Sequence, residues 1–527
     1  MRPTAFLKVV TLAVMLSLSA GLHAQVPAAA PRTTTQDIDA PLRQFDTVLD
    51  LLGENYATPL DYTKVINGAI DGMLRTLDPH SRYFDPKAFG QMIEDQKGRY
   101  YGLGITVTTR FGKLTVVSRP TKGSPAERAD LRVGDVISKV DGEPTQGLDL
   151  NTAVSKIKGP LGTTVNITVV RAGIGEPLEM PIIRAEIAKF TVNSAFLLKP
   201  GIGYIKLDSF AETSGAEIRD ALRSMDPKSL NGLIFDLRGN GGGLLTAAIE
   251  ISETFLQRGQ SILQTKGRVR GSSRSYISQK VNVDNLYPLV VLINPNSASA
   301  SEIVSGALQD HDRALIVGET SFGKGLVQSI FPMKNRDALA LTTQKWYTPS
   351  GRLIQRDYSK ISQYDYYNHR DGIEQKTDDI KYSDLGRKVY GGGSITPDYT
   401  VVPPKVNDFQ TLLATRFAIF TFGREFLARN PTVDSAFHVS DELIADFRRH
   451  LEKRKIAFTA KDISDNTAYL KRVIRFEVIY NKFGASDASR TLLDDDPQLL
   501  KALEVLPEAK TLAEKARVTL AQKPGKQ

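Results

Sequence analysis

The chain has 527 residues, of which 41% are hydrophobic and 24% charged, values typical of a globular protein with about two to four domains. It contains no cysteine, which excludes disulfide bonds, thiol catalysis and a lipid-modified N-terminal cysteine. The net charge of +9 comes from lysines and arginines scattered along the chain, so it favours a mildly cationic surface over nucleic-acid binding.

Residues 1–24 have the pattern of a secretory signal peptide. Arg2 and Lys8 precede an apolar run of about 14 residues, and the small residue Ala24 stands at the expected cleavage point. The run is shorter than the roughly 20 residues that a membrane span needs. We therefore expect a periplasmic or secreted protein; the alternative is an uncleaved N-terminal anchor, which would leave the protein membrane-associated.

Helical patterns dominate residues 25–97, the predicted N-terminal region. Apolar residues recur at helical spacing from Leu42 to Tyr56 and again from Val65 to Leu77. This spacing predicts two amphipathic helices, each with one buried face. The turn-rich segment LDPHSRYFDP follows them.

Short strands and glycines replace the helical pattern over residues 98–184. The segments GITVTTR and LTVVS predict a hairpin, TTVNITVVR predicts a further strand, and a helix is predicted at residues 150–157. These elements predict one small domain. Arg171, at the end of its last strand, is expected to be a solvated charge, and the alternative is a residue that reports bound peptide.

Strands and helices alternate over residues 185–400, which predicts a sheet with helices packed on it. GLIFDL and YPLVVLI are predicted to be buried strands, each followed by a helix. Residues 401–527 are mostly helical and form the predicted C-terminal region. Its phenylalanine-rich faces favour a helical core over a ligand pocket.

The stretch NPNSASASEIVSGALQD follows the predicted strand YPLVVLI and places three serines before or at the start of a helix. Free backbone amides at a helix N-terminus favour negative charge, so a serine there could attack a carbonyl while the amides hold the oxyanion. The alternative is that Ser297, Ser299 or Ser301 only caps the helix.

Two glycine-rich stretches also follow predicted strands. RGNGGGLL, residues 238–245, could form a phosphate cradle, half of an oxyanion hole or only a sharp turn. GETSFGKGLVQ, residues 318–328, contains the G-x-x-x-x-G-K pattern of a nucleotide-binding P-loop. Gly325 stands where a P-loop needs serine or threonine, and the following GLVQSIF is expected to be extended, so nucleotide binding is disfavoured.

Taken together, these stretches resemble the carboxyl-terminal processing peptidases, also called tail-specific proteases, which are serine peptidases with a Ser-Lys dyad and a PDZ domain. The resemblance covers about residues 75–400, and Gly241 departs from it because the family commonly has proline there. The matching segments are LDPHSRYF, YYGLGITV, GSPAERADLRVGDVI, FDLRGNGGGLL, NSASASEI, VGETSFGKGLVQ, YTPSGRLIQ and ITPD.

The resemblance implies a multidomain α+β and α/β protein. A PDZ domain at residues 98–184 would lie beside a crotonase-like or ClpP-like α/β protease core at residues 185–400, with helical regions at both ends. By match to the family motifs, Ser299 would be the nucleophile, Lys324 the base, and Gln328 the residue that holds the base. The backbone amides of Ala300 and Gly242 are our candidates for the oxyanion hole.

This chemistry requires a neutral lysine. A free lysine has a pKa of about 10.4, and burial would have to lower the pKa of Lys324 to about 7–8 before it could take a proton from Ser299. Gln328 could hold the amine without recharging it. Asp310 is expected to be structural, and His311 lies at the far end of the predicted helix, about 18 Å from the serine, so a Ser-His-Asp scheme is disfavoured.

In PDZ domains a loop of consecutive amides binds a free C-terminal carboxylate and the peptide adds a strand to the sheet. Here the loop would be Gly102, Leu103, Gly104 and Ile105. The predicted function is an exported serine endopeptidase that binds unstructured C-terminal tails and needs no metal or other cofactor; the alternative is a non-catalytic PDZ adaptor. The resemblance also implies a homo-oligomer, a dimer or larger, and is compatible with an adaptor lipoprotein or helical-repeat protein that delivers substrates.

Overall fold

The computed structural model describes residues 38–281, 287–368 and 379–522. The predicted signal peptide, residues 1–24, lies outside the described residues. None of the helices described is both long and apolar enough to cross a lipid bilayer.

The described residues fall into two compact units, one that ends at Met73 and one that begins at Leu74. The described part of the first unit consists of α1 (Asp39–Asn55) and most of α2 (Tyr62–Arg75). Both helices follow the predicted periodicity. The expectation of a buried face is wrong for α1, in which no residue is buried and Leu42, Phe45 and Val48 are exposed, because two short helices offer too little surface to cover it.

In the second unit, β1 (Arg82–Phe84) and α3 (Pro86–Lys97) lead into a small strand-rich region with its own apolar core. Five of its strands form a sheet in the order β3-β4-β5-β7-β8, with β6 on β5, and β2 pairs separately with β9. The elements are β2 (Arg99–Gly102), β3 (Val107–Arg110), β4 (Lys113–Val116), α4 (Pro125–Arg128), β5 (Val136–Val140), β6 (Glu143–Pro144), α5 (Leu150–Ile157), β7 (Thr164–Val170), β8 (Leu178–Ile183) and β9 (Ala185–Ala188).

Among the described residues, the alternating strands and helices that follow build two large sheets and a small two-stranded one, β19-β20. Their elements are β10 (Val192–Lys199), β11 (Ile202–Leu207), α6 (Ser214–Ser224), β12 (Gly232–Asp236), α7 (Leu245–Phe255), β13 (Ser261–Gly267), β14 (Arg274–Ile277), β15 (Leu289–Ile293), α8 (Ala300–Asp310), β16 (Leu315–Gly318), β17 (Leu326–Pro332), β18 (Ala338–Tyr347), α9 (Gln363–Asn368), β19 (Ile380–Tyr382), β20 (Lys388–Tyr390) and β21 (Tyr399–Thr400).

The larger of these sheets has the order β10-β11-β12-β15-β16-β21, and its strands from β11 to β21 are parallel. Every residue of β12 and β15 is buried, which explains why both read as continuous apolar runs in the sequence. Because neighbouring parallel strands end at the same edge, the glycine-rich loop after β12 and the serine-rich loop after β15 meet there.

The second sheet is antiparallel and presents the lysine-bearing segment. Its strand order is β1-β18-β13-β14, with β17 also paired to β18. The segment GLVQSIF is extended as predicted, since β17 rather than a helix follows Lys324. Because β17 pairs with β18, the loop that carries Lys324 is held at the end of β17, next to β18.

The helices after residue 401 fall into two groups. One group surrounds its own core, which includes Phe422, Phe447 and Ile474; in the other, Leu499 and Val505 cover the second face of the large parallel sheet. The helices are α10 (Asp408–Thr415), α11 (Ala418–Arg429), α12 (Asp441–Lys453), α13 (Ala460–Asp465), α14 (Thr467–Phe483), α15 (Ala485–Leu493), α16 (Pro497–Glu504) and α17 (Leu506–Gln522).

Candidate active site

Ser299 occupies the turn between β15 and α8, at the N-cap position of the helix. Its backbone has φ 55° and ψ −110°, a conformation that a residue with a side chain rarely adopts. Such strain persists only where the surroundings enforce it, and it is common at functional sites. The turn holds Ser299 partly exposed at the edge where the loops meet.

The two neighbouring serines are structural. Ser297 and Ser301 are fully buried. The Ser297 hydroxyl donates to the Leu237 carbonyl at 2.8 Å, and the Ser301 hydroxyl donates to the Asn240 carbonyl at 2.8 Å. Of the three candidate nucleophiles in the sequence, Ser299 is therefore the one whose side chain can meet a substrate.

Glu302 connects the turn before α8, residues 294–299 (the serine turn), to the segment between β16 and β17, residues 319–325 (the lysine loop). Its Oε2 atom accepts the Ser299 N–H at 2.7 Å and the Lys324 N–H at 2.9 Å. Its Oε1 atom accepts the Gly323 N–H at 2.6 Å and the Ser321 hydroxyl at 2.5 Å. Burial raises the pKa of Glu302 above its ordinary value, against the lowering effect of these four hydrogen bonds. One buried carboxyl group thus fixes both segments.

We expect Glu302→Gln to lower the free energy of unfolding by about 2–3 kcal/mol, because the new amide NH2 would face backbone N–H donors in a buried site. Peptidase activity should fall at least tenfold, since the serine turn and the lysine loop would no longer share an acceptor. Urea denaturation and peptide cleavage measure the two effects. The exposed Glu514→Gln serves as the matched control, and wild-type stability in Glu302→Gln would contradict this role.

Lys324 has the environment that a general base requires. Its backbone is anchored on both sides, since its N–H donates to Glu302 and its carbonyl accepts from Trp346 Nε1 at 3.1 Å. Burial lowers the pKa of Lys324 from its ordinary value to about 8, and the cationic Arg82 lowers it further, against the opposing effect of Glu302 and Asp78. A useful fraction of the amine is thus neutral near neutral pH.

Gln328 lies on β17, but its side-chain amide donates to Thr342 Oγ1 at 3.2 Å, and β17 pairs with β18 at this point. The sequence predicts that Gln328 holds the lysine amine. The bond to Thr342 uses the amide nitrogen, so Gln328 could accept a hydrogen bond from the lysine amine through Oε1 without losing it.

The glycine-rich loop packs directly against Ser299. A Cβ atom at Gly242 would lie 2.9 Å from both the Ala300 nitrogen and Ser299 Cβ, so only glycine fits at this position, where φ is +97°. The Gly242 N–H donates to Asn240 Oδ1 at 2.8 Å. The two predicted oxyanion donors therefore belong to adjoining segments, and Gly242 would have to exchange its partner before donating to a substrate.

Asp310 and His311 lie at the other end of α8 from Ser299. The Asp310 carboxylate accepts from the Arg352 guanidinium and from the Ser350 N–H at 2.9 Å. His311 is bonded through Nδ1 to Asp384 and through Nε2 to the Ser261 carbonyl, each at 2.7 Å. Asp310 is structural, as expected, and His311 is engaged away from the serine.

The predicted carboxylate-binding loop precedes β3. Gly104 has φ +83°, and a Cβ there would lie 2.4 Å from Ser124 Cβ; Leu103 and Gly104 accept hydrogen bonds through their carbonyls from Ala126 and Thr121. The Gly104 N–H donates to the Tyr100 hydroxyl, and Gly102 is the last residue of β2, which pairs with β9. Ile105 packs partly buried against the small core, and a Cβ at Gly102 would meet the Tyr100 ring.

The expectation of a solvated Arg171 is wrong. Its guanidinium donates to both oxygens of Asp135 at 2.8 Å and to the Asp130 carbonyl at 2.6 Å. The side chain is 12% exposed. Arg171 therefore ties the end of β7 to the loop before β5.

Sequence reasoning missed the role of Glu302. The spacing of Ser299 and Glu302 is the S-x-x-E pattern of a capping box, which could have indicated that Glu302 binds the Ser299 N–H. Its bonds to residues 321–324 have no local signal, because those residues reach it only through the folded sheet.

Three family models match parts of this chain. The family model for peptidase family S41 matches residues 201–362, and the PDZ domain model matches residues 116–171. The model for the N-terminal domain of the activating protease CtpB matches residues 13–88.

The matched relatives are proteases. The carboxy-terminal-processing protease of Bartonella bacilliformis is 41% identical over 318 residues, which are 60% of this chain and 72% of the relative. The carboxy-terminal processing protease CtpB of Bacillus subtilis is 37% identical over 350 residues, 65% of this chain and 72% of the relative. The solved photosystem II D1 C-terminal processing protease is 26% identical, with 68% of this chain and 86% of that chain covered and a TM-score of 0.35. The chain therefore belongs to peptidase family S41, as a PDZ-containing peptidase similar to the carboxy-terminal processing proteases.

Proposed function

We propose that the protein is an exported serine endopeptidase that binds C-terminal tails through its PDZ domain and cleaves peptide bonds with a Ser299–Lys324 dyad. One observation carries the proposal. The buried carboxyl group of Glu302 binds the backbone of a strained, partly exposed serine and the backbone of a lysine whose pKa is lowered to about 8.

In the proposed reaction the neutral amine of Lys324 takes the proton of the Ser299 hydroxyl as Oγ attacks the substrate carbonyl carbon. The negative charge that develops on the carbonyl oxygen would be stabilised by the Ala300 N–H, and by the Gly242 N–H once it leaves Asn240. The C–N bond then breaks, and the Lys324 ammonium returns its proton to the leaving amine. Water hydrolyses the resulting ester in the same manner.

The tail would bind along β3. Among the described strands β3 pairs only with β4, so its other edge can accept a peptide strand, and α5 would line the groove. The backbone amides of Gly102, Leu103, Gly104 and Ile105 would receive the terminal carboxylate, and the Gly104 N–H would first have to leave the Tyr100 hydroxyl. The names of the matched relatives, which are carboxy-terminal processing proteases, support this choice of substrate.

Four further parts of the proposal have separate support. The mostly parallel sheet, with helices on both faces, supports a crotonase-like or ClpP-like core. The basic start and apolar run of residues 1–24 support export. The exposed apolar side chains of α1 support a homo-oligomer, and the family resemblance supports an adaptor that delivers substrates.

The test uses a protein that ends in an unstructured tail, prepared with a free or an amidated C-terminus. We expect the wild type to cleave the free tail, and the Ser299→Ala variant to bind the free tail at least tenfold more tightly than the amidated one, because the loop amides need a carboxylate. Mass spectrometry and fluorescence anisotropy report the two results. Equal binding of both tails would contradict tail recognition, and tight binding without cleavage by wild type would favour the non-catalytic adaptor.

A further inference from the structure

A chain of hydrogen bonds leaves the lysine loop at the residue after Lys324. The Gly325 N–H donates to Gln355 Oε1 at 2.8 Å. Because that bond identifies the oxygen of the Gln355 amide, its nitrogen must be the donor on the other side. Gln355 Nε2 donates to the Tyr366 hydroxyl at 3.1 Å and to the Arg356 carbonyl at 2.8 Å.

The last hydrogen bond of this series, at Tyr367, determines which group is the donor in each of the others. The Tyr367 hydroxyl lies 2.8 Å from the Pro79 carbonyl, which can only accept, so Tyr367 donates its proton there. Its oxygen must then accept from His80 Nδ1, 3.0 Å away. This leaves His80 Nε2 as an acceptor, and the Tyr366 hydroxyl, also at 3.0 Å, donates to it. Each donor has an acceptor only if His80 is neutral and carries its proton on Nδ1.

The surroundings of His80 agree with that tautomer. The ring is buried between Tyr366 and Tyr367. Burial, and after it the positive charge of the nearby Lys324, lowers the pKa of His80 to about 3. Arg356 and Arg82 lower it further, while Asp78 opposes them. The imidazole therefore stays neutral over the range in which the lysine titrates.

The same turn is also linked to Gln328 through Thr342 on the neighbouring strand β18. Asp78 accepts the Ser81 hydroxyl at 2.7 Å, so the Ser81 oxygen is free to accept, and it takes the Thr342 N–H at 3.1 Å. Thr342 Oγ1 in turn accepts from Gln328 Nε2. Burial raises the pKa of Asp78, but hydrogen bonds from Ser81 and His80 bring it below its ordinary value. The carboxylate therefore stays ionised and can accept these hydrogen bonds.

We propose that the turn Asp78–Ser81 is a positioning segment for the dyad, with the neutral His80 and Tyr366 as the link that holds the lysine loop in its buried position. This inference rests on the proposed role of Lys324 as the base. His80 and Tyr366 act through the lysine loop and do not touch the reacting atoms. The sequence motif LDPHS thereby gains a physical role.

The test compares Tyr366→Phe with Tyr364→Phe, the same change on the same helix at a ring that is 66% exposed. We expect Tyr366→Phe to lower kcat about tenfold or more and to leave KM within about twofold, because the loosened loop lets water reach Lys324. For the same reason the acidic limb of its kcat/KM–pH profile should move to higher pH. Tyr364→Phe should behave as wild type, and thermal unfolding confirms that both variants are folded.

A double-variant cycle separates positioning from general destabilisation. If His80 and Tyr366 act in one chain, His80→Asn and Tyr366→Phe together should be no more than about twofold worse in kcat than the worse single variant, since the chain is already broken. A Tyr366→Phe profile that superimposes on wild type, or losses that multiply in the double variant, would overturn the inference. Failure of the proposed function would instead appear as full activity in variants of Lys324.

Discussion

Replacing Ser299 by alanine is expected to lower kcat/KM for tail cleavage at least about 10⁴-fold, because the proposed acyl-enzyme forms on the Ser299 hydroxyl. The expectation is specific to this serine. Ser297 and Ser301 have their hydroxyls bound to carbonyls in a fully buried setting, and Ser299 alone of the three is partly exposed. Quantified cleavage of the free-tail substrate measures the loss.

The matched control is Ser305→Ala, which removes a buried hydroxyl from the same helix. Ser305 donates to the Ser301 carbonyl at 2.8 Å and takes no part in the proposed chemistry. Its variant should keep activity within about threefold after correction for any loss of folded protein. Activity in Ser299→Ala close to that of Ser305→Ala would show that another residue is the nucleophile.

Lys324→Met is expected to abolish turnover and also to stabilise the protein at neutral pH. Turnover should fall at least about 10³-fold because the hydroxyl of Ser299 loses its base. Stability should rise by up to about 3 kcal/mol near pH 7, since methionine fills the pocket without the cost of burying an ammonium. Peptide cleavage and urea denaturation report the two effects.

The pH dependence of that stability gain has a definite sign. The pKa of Lys324 is about 8 in the folded chain and near 10.5 when exposed, so between these values the unfolded chain binds more protons than the folded one. The wild type therefore gains stability as the pH rises through this window. The advantage of Lys324→Met should shrink between pH 8 and pH 10.5, and an advantage independent of pH would contradict a buried, titrating amine.

Motifs and periodicity predicted most of the scaffold. YPLVVLI and GLIFDL are buried parallel strands, as expected from continuous apolar runs, and GITVTTR and LTVVS form the predicted hairpin. The placement of Gly242 beside Ser299 could also be anticipated, because both follow neighbouring strands of one parallel sheet.

Tertiary hydrogen bonds account for what the sequence could not indicate. The link between Glu302 and the lysine loop, and the chain from Gly325 to Pro79, join residues that are distant in sequence and have no periodic signature. The prediction of a solvated Arg171 was wrong for the same reason, since its partner Asp135 lies in the loop before β5, 36 residues earlier in the sequence. Likewise, the engagement of the Gly242 N–H by Asn240 depends on the detailed path of the loop.

The proposed mechanism requires that Lys324, a partly buried lysine with a pKa lowered to about 8, activates Ser299. The most direct measurement is the rate at which a fluorophosphonate probe labels Ser299 as a function of pH, with the labelled residue identified by mass spectrometry. The rate should rise about tenfold per unit below an apparent pKa of about 8 and level off above it, and Lys324→Met should show no such rise. A labelling rate that does not change between about pH 6 and pH 10, or that follows an apparent pKa near 10.5, would contradict the claim.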